Sequence, residues 1–288
     1  MPYDGVGTEM EIREPERLTP VVGEADVVVV GSGPGGLSAA IAAARAGVSV
    51  ILIERFGCFG GNITCVGAEG FAWYRHEKTI EAGGLTFEYE QRAIENNAAV
   101  PESQSKSYEL DSEGFKVVAD NLVLKAGVRP MLHRAFCSPI LEGNEIRGVI
   151  TESKAGREAI MGKIIVDATG DADIARRSGV TVFKNSKEDM ISASVIFHMS
   201  GVNKEEFMDE IKRDPQKYRD WSNKNWQVQT SGKEDDMFSP FLRKPFEKAK
   251  ESGLIDSDLQ TISGTWGAIH DSGELTYLNL VHLNGIDG

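Results

Sequence analysis

The sequence predicts an α/β fold built around a parallel sheet, and three features support this prediction. A β-branched run from Asp26 to Val30 is typical of a strand that is buried on both faces. After a glycine-rich turn, the alanine-rich segment from Leu37 to Ala46 favours a helix, which Gly47 would end. A second β-branched run, Val48 to Ile53, completes one βαβ unit, whose crossover should be right-handed.

Further helices and strands are predicted downstream of this unit. Mixed apolar and charged positions predict amphipathic helices over Leu85 to Asn96 and Ser112 to Ala126, which we expect to cover a face of the sheet. Four short strands come next, and we expect a β-meander that ends in another core strand. They span Val128 to His133, Phe136 to Leu141, Glu145 to Glu152 and Glu158 to Val166.

The turn after the first strand carries the clearest motif. Gly31, Gly33 and Gly36 fill a G-x-G-x-x-G pattern within Gly31-Ser32-Gly33-Pro34-Gly35-Gly36, directly between a strand and a helix. In a Rossmann-type fold the first glycine permits the turn, the second leaves room for a pyrophosphate, and the third lets helix and strand pack closely. We therefore predict a dinucleotide site at this helix N-terminus, with a purely structural glycine turn as the alternative.

An acidic residue follows at the expected distance. Glu54 ends the second strand 23 residues after Gly31, close to the spacing expected for the carboxylate that binds an adenosine ribose. A carboxylate at this position favours a free 2′-hydroxyl over a 2′-phosphate. The combination of strand, glycines, helix, strand and acid is more specific than the glycine pattern alone.

Composition excludes several classes of partner. The chain has 288 residues and a formal net charge of -13, which would repel nucleic acid and anionic membranes. The apolar runs near its start are too short and too interrupted to span a bilayer, and residues 1–26 lack the pattern of a signal peptide. Its three cysteines, Cys58, Cys65 and Cys137, fit a reducing compartment, so we expect a cytoplasmic location.

Three groups of residues give the chain a resemblance to a known family. The groups are Gly31-Ser32-Gly33-Pro34-Gly35-Gly36, then Glu54-Arg55 leading to Gly60-Gly61, and then Ile165-Val166-Asp167-Ala168-Thr169-Gly170-Asp171-Ala172-Asp173. They resemble the FAD-dependent oxidoreductases that share the two-dinucleotide-binding-domain fold with fumarate reductase flavoproteins and with the flavin domain of heterodisulfide reductase. The resemblance covers most of residues 20–180 and implies FAD as the cofactor.

The resemblance also implies which residues hold the cofactor. The segment Ala168-Thr169-Gly170-Asp171 would return the chain past the dinucleotide. The pair Gly60-Gly61 would lie near the pyrophosphate and the ribityl chain, and Asn62 and Thr64 would contact the flavin. Together with the glycine turn, Glu54 and Arg55, these residues form the predicted FAD site.

The domain organisation follows from the same reasoning. We predict an N-terminal arm over residues 1–24, a Rossmann-type FAD-binding domain with parallel sheet and β-meander over 25–180, and a partial α+β substrate domain over 181–288. In the last region, Ile191 to Met199 and Glu274 to Leu283 are strand-like, and Lys204 to Arg213 is helical. Such flavoproteins close the FAD site with a late strand, a Gly-Asp pair and a helix. The chain stops first, so we expect a C-terminally truncated product.

Candidates for the reaction itself are few. Cys58 and Cys65 flank the Gly60-Gly61 turn, where flavin disulfide reductases place a redox pair, but their C-x6-C spacing departs from C-x4-C and favours unpaired structural thiols. Arg75 and His76 could orient an anionic substrate and shuttle a proton, or simply belong to a surface loop. Residues His198, His270 and His282 are expected to be hydrogen-bonded structural histidines.

Three functional hypotheses remain open from the sequence. The first is an FAD-dependent oxidoreductase that transfers a hydride between a small organic substrate and the flavin, which itself supplies the electron chemistry. The second is a flavin electron-transfer subunit that works with an iron–sulfur partner protein. Three cysteines cannot hold a cluster that needs four thiolates, and no metal-ligand spacing is found. The third is a non-catalytic truncated remnant.

Overall fold

The computed structural model describes residues 13–69, 75–76, 80–81, 83–101, 108–190, 193–213, 247–256, 261–265 and 272–283. In chain order its elements are β1 (Val21–Val30), α1 (Pro34–Arg45), β2 (Val50–Ile53), β3 (Arg75–His76), β4 (Ile80–Glu81), α2 (Leu85–Glu95), β5 (Ala99–Pro101), β6 (Tyr108–Leu110), α3 (Ser112–Lys125), β7 (Arg129–Met131), β8 (Ala135–Glu142), β9 (Glu145–Ser153), β10 (Gly156–Asp167), α4 (Asp173–Arg177), β11 (Ala193–Met199), α5 (Lys204–Arg213), β12 (Thr261–Thr265) and β13 (Leu275–Leu283). The main sheet has six strands in the order β7-β2-β1-β10-β9-β8.

The predicted βαβ unit forms, and its first strand is longer than expected. β1 pairs in parallel with β2 on one side and with β10 on the other. It begins at Val21, inside the segment predicted as an N-terminal arm, because residues 21–25 pair with residues 159–162 of β10. The sequence pattern pointed only to the β-branched half of this strand, since the first half depends on a partner that lies far along the chain.

The predicted meander forms with three strands instead of four. β8, β9 and β10 pair antiparallel in succession. β7, which was expected to open the meander, instead pairs in parallel with β2 at the opposite edge of the sheet. That part of the prediction is wrong because β7 follows α3, and a helical crossover can return the chain to a distant edge. The mixed α/β fold class is confirmed.

Residues of β1 and β2 alternate between two buried clusters, which places a core on each face of the sheet. Val29 and Leu52 pack on one face with residues of α1, α2 and α3, including Phe115, so the amphipathic helices cover a face as predicted. Val28 and Ile53 belong to the cluster on the other face. Full burial of a side chain of this size contributes about 1.5–3 kcal/mol, so both faces hold the strand ends in place.

A second, antiparallel sheet has the strand order β11-β13-β12. It contacts the first region through Thr276, whose hydroxyl donates a hydrogen bond of 2.7 Å to the buried Glu69 carboxylate. His198 of β11 lies 3.8 Å from the same carboxylate. The placement of a domain boundary near residue 180 remains a prediction. Across the ranges given above, no helix is long and apolar enough to cross a membrane.

Candidate functional site

A cavity of about 710 Å³ lies at the carboxyl ends of β1, β2 and β10. In an open α/β sheet, ligands bind at this edge, where connections leave neighbouring strands in opposite directions. Several residues predicted from the sequence line it, namely Gly31, Gly33, Pro34, Glu54, Arg55, Gly61, Asn62, Ala168 and Thr169. Other predicted residues lie outside the described lining, namely Gly35, Gly36, Gly60, Thr64, Gly170 and Asp171.

Glycine occupies the three motif positions for different structural reasons. A Cβ on Gly31 would collide with the Ala168 carbonyl, and one on Gly36 would collide with the Gly31 carbonyl, so the protein's own packing requires both. Gly31 also has a φ of +95°, which favours glycine. A Cβ on Gly33 would meet no described atom within 4 Å, although Gly33 lines the cavity. The absence of a side chain at Gly33 therefore leaves space in the cavity rather than relieving internal packing.

The N-terminus of α1 faces this space with its backbone donors. Pro34 occupies the first turn, where its missing N–H costs nothing, and the N–H groups of Gly35 and Gly36 have no acceptor within the helix. Among the described residues no side chain caps this end, and its first turn contains no acid. The positive end of the helix dipole can therefore accept a phosphate group beside Gly33.

Glu54 is held rigidly at the end of β2. Its side chain is buried, and its Oε2 accepts hydrogen bonds from the Ser32 amide at 2.9 Å and the Ser32 hydroxyl at 2.6 Å. Its Oε1 accepts from the Phe56 amide at 2.9 Å. Carboxylate oxygens have further lone pairs, so Glu54 can still accept from a ribose hydroxyl. Sequence reasoning missed Ser32, because it occupies a variable position of the motif.

The loop after β2 packs directly on the glycine turn. The Gly60 amide donates to the Ser32 carbonyl at 2.9 Å, and a Cβ on Gly61 would lie 2.8 Å from the Gly33 Cα. This contact explains the glycine at position 61, and a φ of +115° explains the glycine at position 60. Thr64 is buried, and its hydroxyl donates to the Phe59 carbonyl at 2.6 Å. This hydrogen bond supports the loop, and the contact of Thr64 with the flavin remains a prediction.

The segment after β10 closes the cavity from the other side. Asp167 accepts from the Thr169 hydroxyl at 2.7 Å through one oxygen. Through the other it accepts from the amides of Ile174 and Ala175, both at 3.0 Å. These bonds cap α4 and fix the Ala168–Thr169 wall. Asp167 was part of the recognised segment but was not predicted as a site residue, since its role depends on the fold of α4.

Two arginines and an aromatic ring complete the lining. Arg134 forms an ion pair of 2.8 Å with Glu158, and the Arg177 guanidinium lies 5.5 Å from the Phe136 ring centroid. Arg177 also donates to the Cys137 carbonyl. Nothing in the sequence indicated Arg134 or Phe136, because only the pairing of β8 with β9, and of β9 with β10, brings them to the glycine turn.

The residues predicted for the reaction lie in a short two-stranded sheet, β3-β4. The structure describes the backbone of Arg75 and His76 as β3, paired with β4, while their side chains lie outside the described part. Their catalytic role remains a prediction. His270 also lies outside the described residues. Within those residues, no group of three or more His, Cys, Asp or Glu side chains could hold a metal ion.

The fold and the cavity together define a class of protein. The chain combines the four parts of a dinucleotide-binding site. They are parallel strands, a glycine turn that leaves room in a cavity, a helix N-terminus open to an anion, and a buried carboxylate at the end of a strand. The chain is a dinucleotide-binding protein of the Rossmann type. FAD fits this donor set, since it carries both a pyrophosphate and an adenosine ribose.

The particular family follows from comparison with known proteins. The model of the family described as FAD dependent oxidoreductase matches residues 26–276, and the chain belongs to this family. This match confirms the family and the FAD cofactor that the sequence predicted. It also extends the relationship well beyond the residues 20–180 on which the resemblance was based.

Individual relatives are similar to the chain over only part of its length. Thiamine thiazole synthase of Saccharolobus islandicus is 33% identical over 162 residues, covering 52% of this chain and 57% of that protein. Digeranylgeranylglycerophospholipid reductase 2 of Methanopyrus kandleri is 30% identical over 192 residues, covering 64% and 46%. A geranylgeranyl bacteriochlorophyll reductase-like structure from Thermoplasma acidophilum shares the fold, with a TM-score of 0.50, 21% identity, and coverage of 63% and 48%. The chain spans about half the length of the curated relatives it matches.

Proposed function

We propose that this protein is an oxidoreductase that transfers a hydride between a small organic substrate and bound FAD. The proposal rests on the open space at Gly33. A Cβ there would meet no described atom within 4 Å, so the packing of the protein does not itself require a glycine. Membership of the FAD-dependent oxidoreductase family supports the redox chemistry. The flavin supplies the electron chemistry when it is bound, while the protein binds it, orients it and excludes water.

Each part of the cavity suits one part of the cofactor. The N-terminus of α1 and Gly33 would hold the pyrophosphate, because backbone donors and a positive dipole converge there. Glu54, already fixed by Ser32 and Phe56, would accept from the ribose. Gly61 and Asn62 line the wall next to the glycine turn and would lie along the flavin half.

The cofactor site is tested by absorption spectroscopy and by titration with FAD. We expect the purified chain to show the visible bands of oxidised flavin, either as isolated or after addition of FAD. Gly33→Val should abolish FAD binding, because its side chain would fill the cavity where the pyrophosphate lies. Gly83→Val is the matched control, since a Cβ there also meets no described atom within 4 Å, and Gly83 is not among the described residues that line the cavity. Equal FAD affinity in the two variants would contradict the placement of the site.

The reaction is tested separately, by anaerobic mixing of the FAD-bound protein with a panel of small organic substrates. A substrate that donates a hydride should bleach the flavin bands, and deuterium at the donor carbon should slow the bleaching because the C–H bond breaks in that step. Bleaching without an isotope effect, accompanied by a radical signal, would favour one-electron transfer instead. We also propose a reducing, cytoplasmic location, since the three cysteines are free thiols.

A further inference from the structure

Two cysteines that the sequence left unpaired lie next to each other. The Sγ atoms of Cys58 and Cys65 are 3.5 Å apart, and both residues are free thiols of intermediate exposure. The turn between them brings them together: the Cys65 amide donates to the Gly61 carbonyl at 2.8 Å, and the Ile63 amide donates to the Gly60 carbonyl at 3.2 Å. A disulfide has an S–S distance of about 2.05 Å, so a small movement of either side chain would bring the sulfurs to bonding distance.

We propose that Cys58 and Cys65 form a site of reversible oxidation, at which a hydroperoxide converts the two thiols into an intramolecular disulfide. The site is independent of the redox reaction proposed for the flavin. It also differs from a C-x4-C redox pair in its C-x6-C spacing.

The chemistry is balanced in two steps. The Cys58 thiolate attacks the hydroperoxide oxygen, so that the O–O bond breaks and Cys58 becomes a sulfenic acid while water or an alcohol leaves. The Cys65 sulfur then attacks the sulfenic sulfur, and the hydroxyl group leaves with the thiol proton as water. With hydrogen peroxide the net reaction is two thiols and one peroxide giving one disulfide and two molecules of water.

The surroundings decide which cysteine acts first. Burial, together with the Cys58 thiol and the nearby Glu54 carboxylate, raises the pKa of Cys65 to about 11, although a hydrogen bond with Thr64 opposes the shift. Cys65 is therefore a thiol near neutral pH and suits the second step better than the first. The charge of Lys116 also interacts with both sulfurs, so Glu54 and Lys116 are the charged groups to consider at this site.

The position of the pair connects it to the cavity. Cys65 lines the cavity, and the loop between the two cysteines contains Gly60, which bonds to Ser32, and Gly61, which packs on Gly33. A disulfide would close this loop covalently at its two ends. Oxidation would therefore alter the wall of the cavity that this loop forms, while the residues of the glycine turn would remain chemically unchanged.

The test uses the full chain, fully reduced and then treated with hydrogen peroxide under native conditions. Free thiols are alkylated after denaturation, and the intact mass and the peptide map are measured. We expect the loss of two hydrogens, a cross-link between Cys58 and Cys65, an alkylated Cys137, and full recovery of three alkylated thiols after dithiothreitol. The rate should not depend on protein concentration, because the bond forms within one chain.

Three variants make the result specific. Cys137→Ser should leave the cross-link unchanged, whereas Cys58→Ser and Cys65→Ser should each abolish it. A cross-link that involves Cys137 or joins two chains would overturn the proposal. So would a wild-type chain in which peroxide adds oxygen atoms to one cysteine without joining the pair, or in which both thiols stay alkylatable after Cys137 has reacted. The wild-type measurement decides the question even where a variant folds poorly.

Discussion

The N-termini of α1 and α4 follow the neighbouring strands β1 and β10 at one edge of the sheet. Their backbone N–H groups differ in whether a described side chain accepts from them. At the start of α4, Asp167 accepts from the amides of Ile174 and Ala175. At the start of α1, no described side chain plays this part, and Gly33 leaves open space instead. The capped end of α4 is therefore satisfied by its own chain, whereas the end of α1 has donors available for an anionic ligand.

The largest effect should come from breaking the packing at the α1 junction. Gly36→Ala places a Cβ against the Gly31 carbonyl, so we expect a loss of about 3 kcal/mol in the free energy of unfolding. Chemical denaturation measures this loss. Gly35→Ala is the matched control: this glycine is exposed in the same helix, and alanine should stabilise it by about 0.5–1 kcal/mol. Equal effects at the two positions would remove the steric account of the motif.

The next effect concerns the capped junction. Asp167→Ala removes the acceptor for the first amides of α4, and we expect a loss of about 2 kcal/mol in stability, at the upper end for a helix cap. The exposed Asp171→Ala should cost much less. FAD affinity measured by titration should fall less in Asp167→Ala than in Gly33→Val. A larger loss of affinity in Asp167→Ala would mean that the α4 junction, not α1, holds the anion.

A smaller effect concerns the carboxylate at the end of β2. Glu54→Gln keeps the shape of the side chain but removes its charge and one of its two acceptor oxygens, so we expect about tenfold weaker FAD binding, or about 1.4 kcal/mol. Titration of the flavin spectrum gives the affinity. Glu205→Gln on α5 is the control, because it makes the same change away from the cavity. Unchanged affinity in Glu54→Gln would place the ribose partner elsewhere.

The smallest effect tests how far Glu54 is positioned in advance. Ser32→Ala removes the hydroxyl that donates to Glu54 at 2.6 Å but keeps the backbone donor at 2.9 Å. We expect weakening of FAD binding by about 0.5–1 kcal/mol, with stability changed by a similar amount. Calorimetric titration combined with thermal unfolding measures both. In the double variant with Glu54→Gln, the effect should shrink, since the two residues act together.

Sequence reasoning succeeded where the chemistry is local. Gly31, Gly33 and Glu54 lie within one βαβ unit, so their spacing alone predicts that they meet. Arg134 could not be assigned in this way, because its place depends on strands that pair across the sheet. Asp167 could not be assigned either, because its role depends on the fold of α4. The predicted position of β7 was wrong because the sequence of a helix between two strands does not show to which edge of the sheet the chain returns.

The central pairing of β1 with β10 has a consequence for how the protein is made. The ion pair between Asp26 and Lys163 links residues 137 positions apart, and β1 has no neighbour on that side until β10 is available. Contacts of such long sequence separation form late, because the chain between them must first be ordered. During synthesis on the ribosome, both walls of the cavity can therefore form only after Ala168 and Thr169 have emerged. Cofactor capture must follow the synthesis of β10, however early the glycine motif is translated.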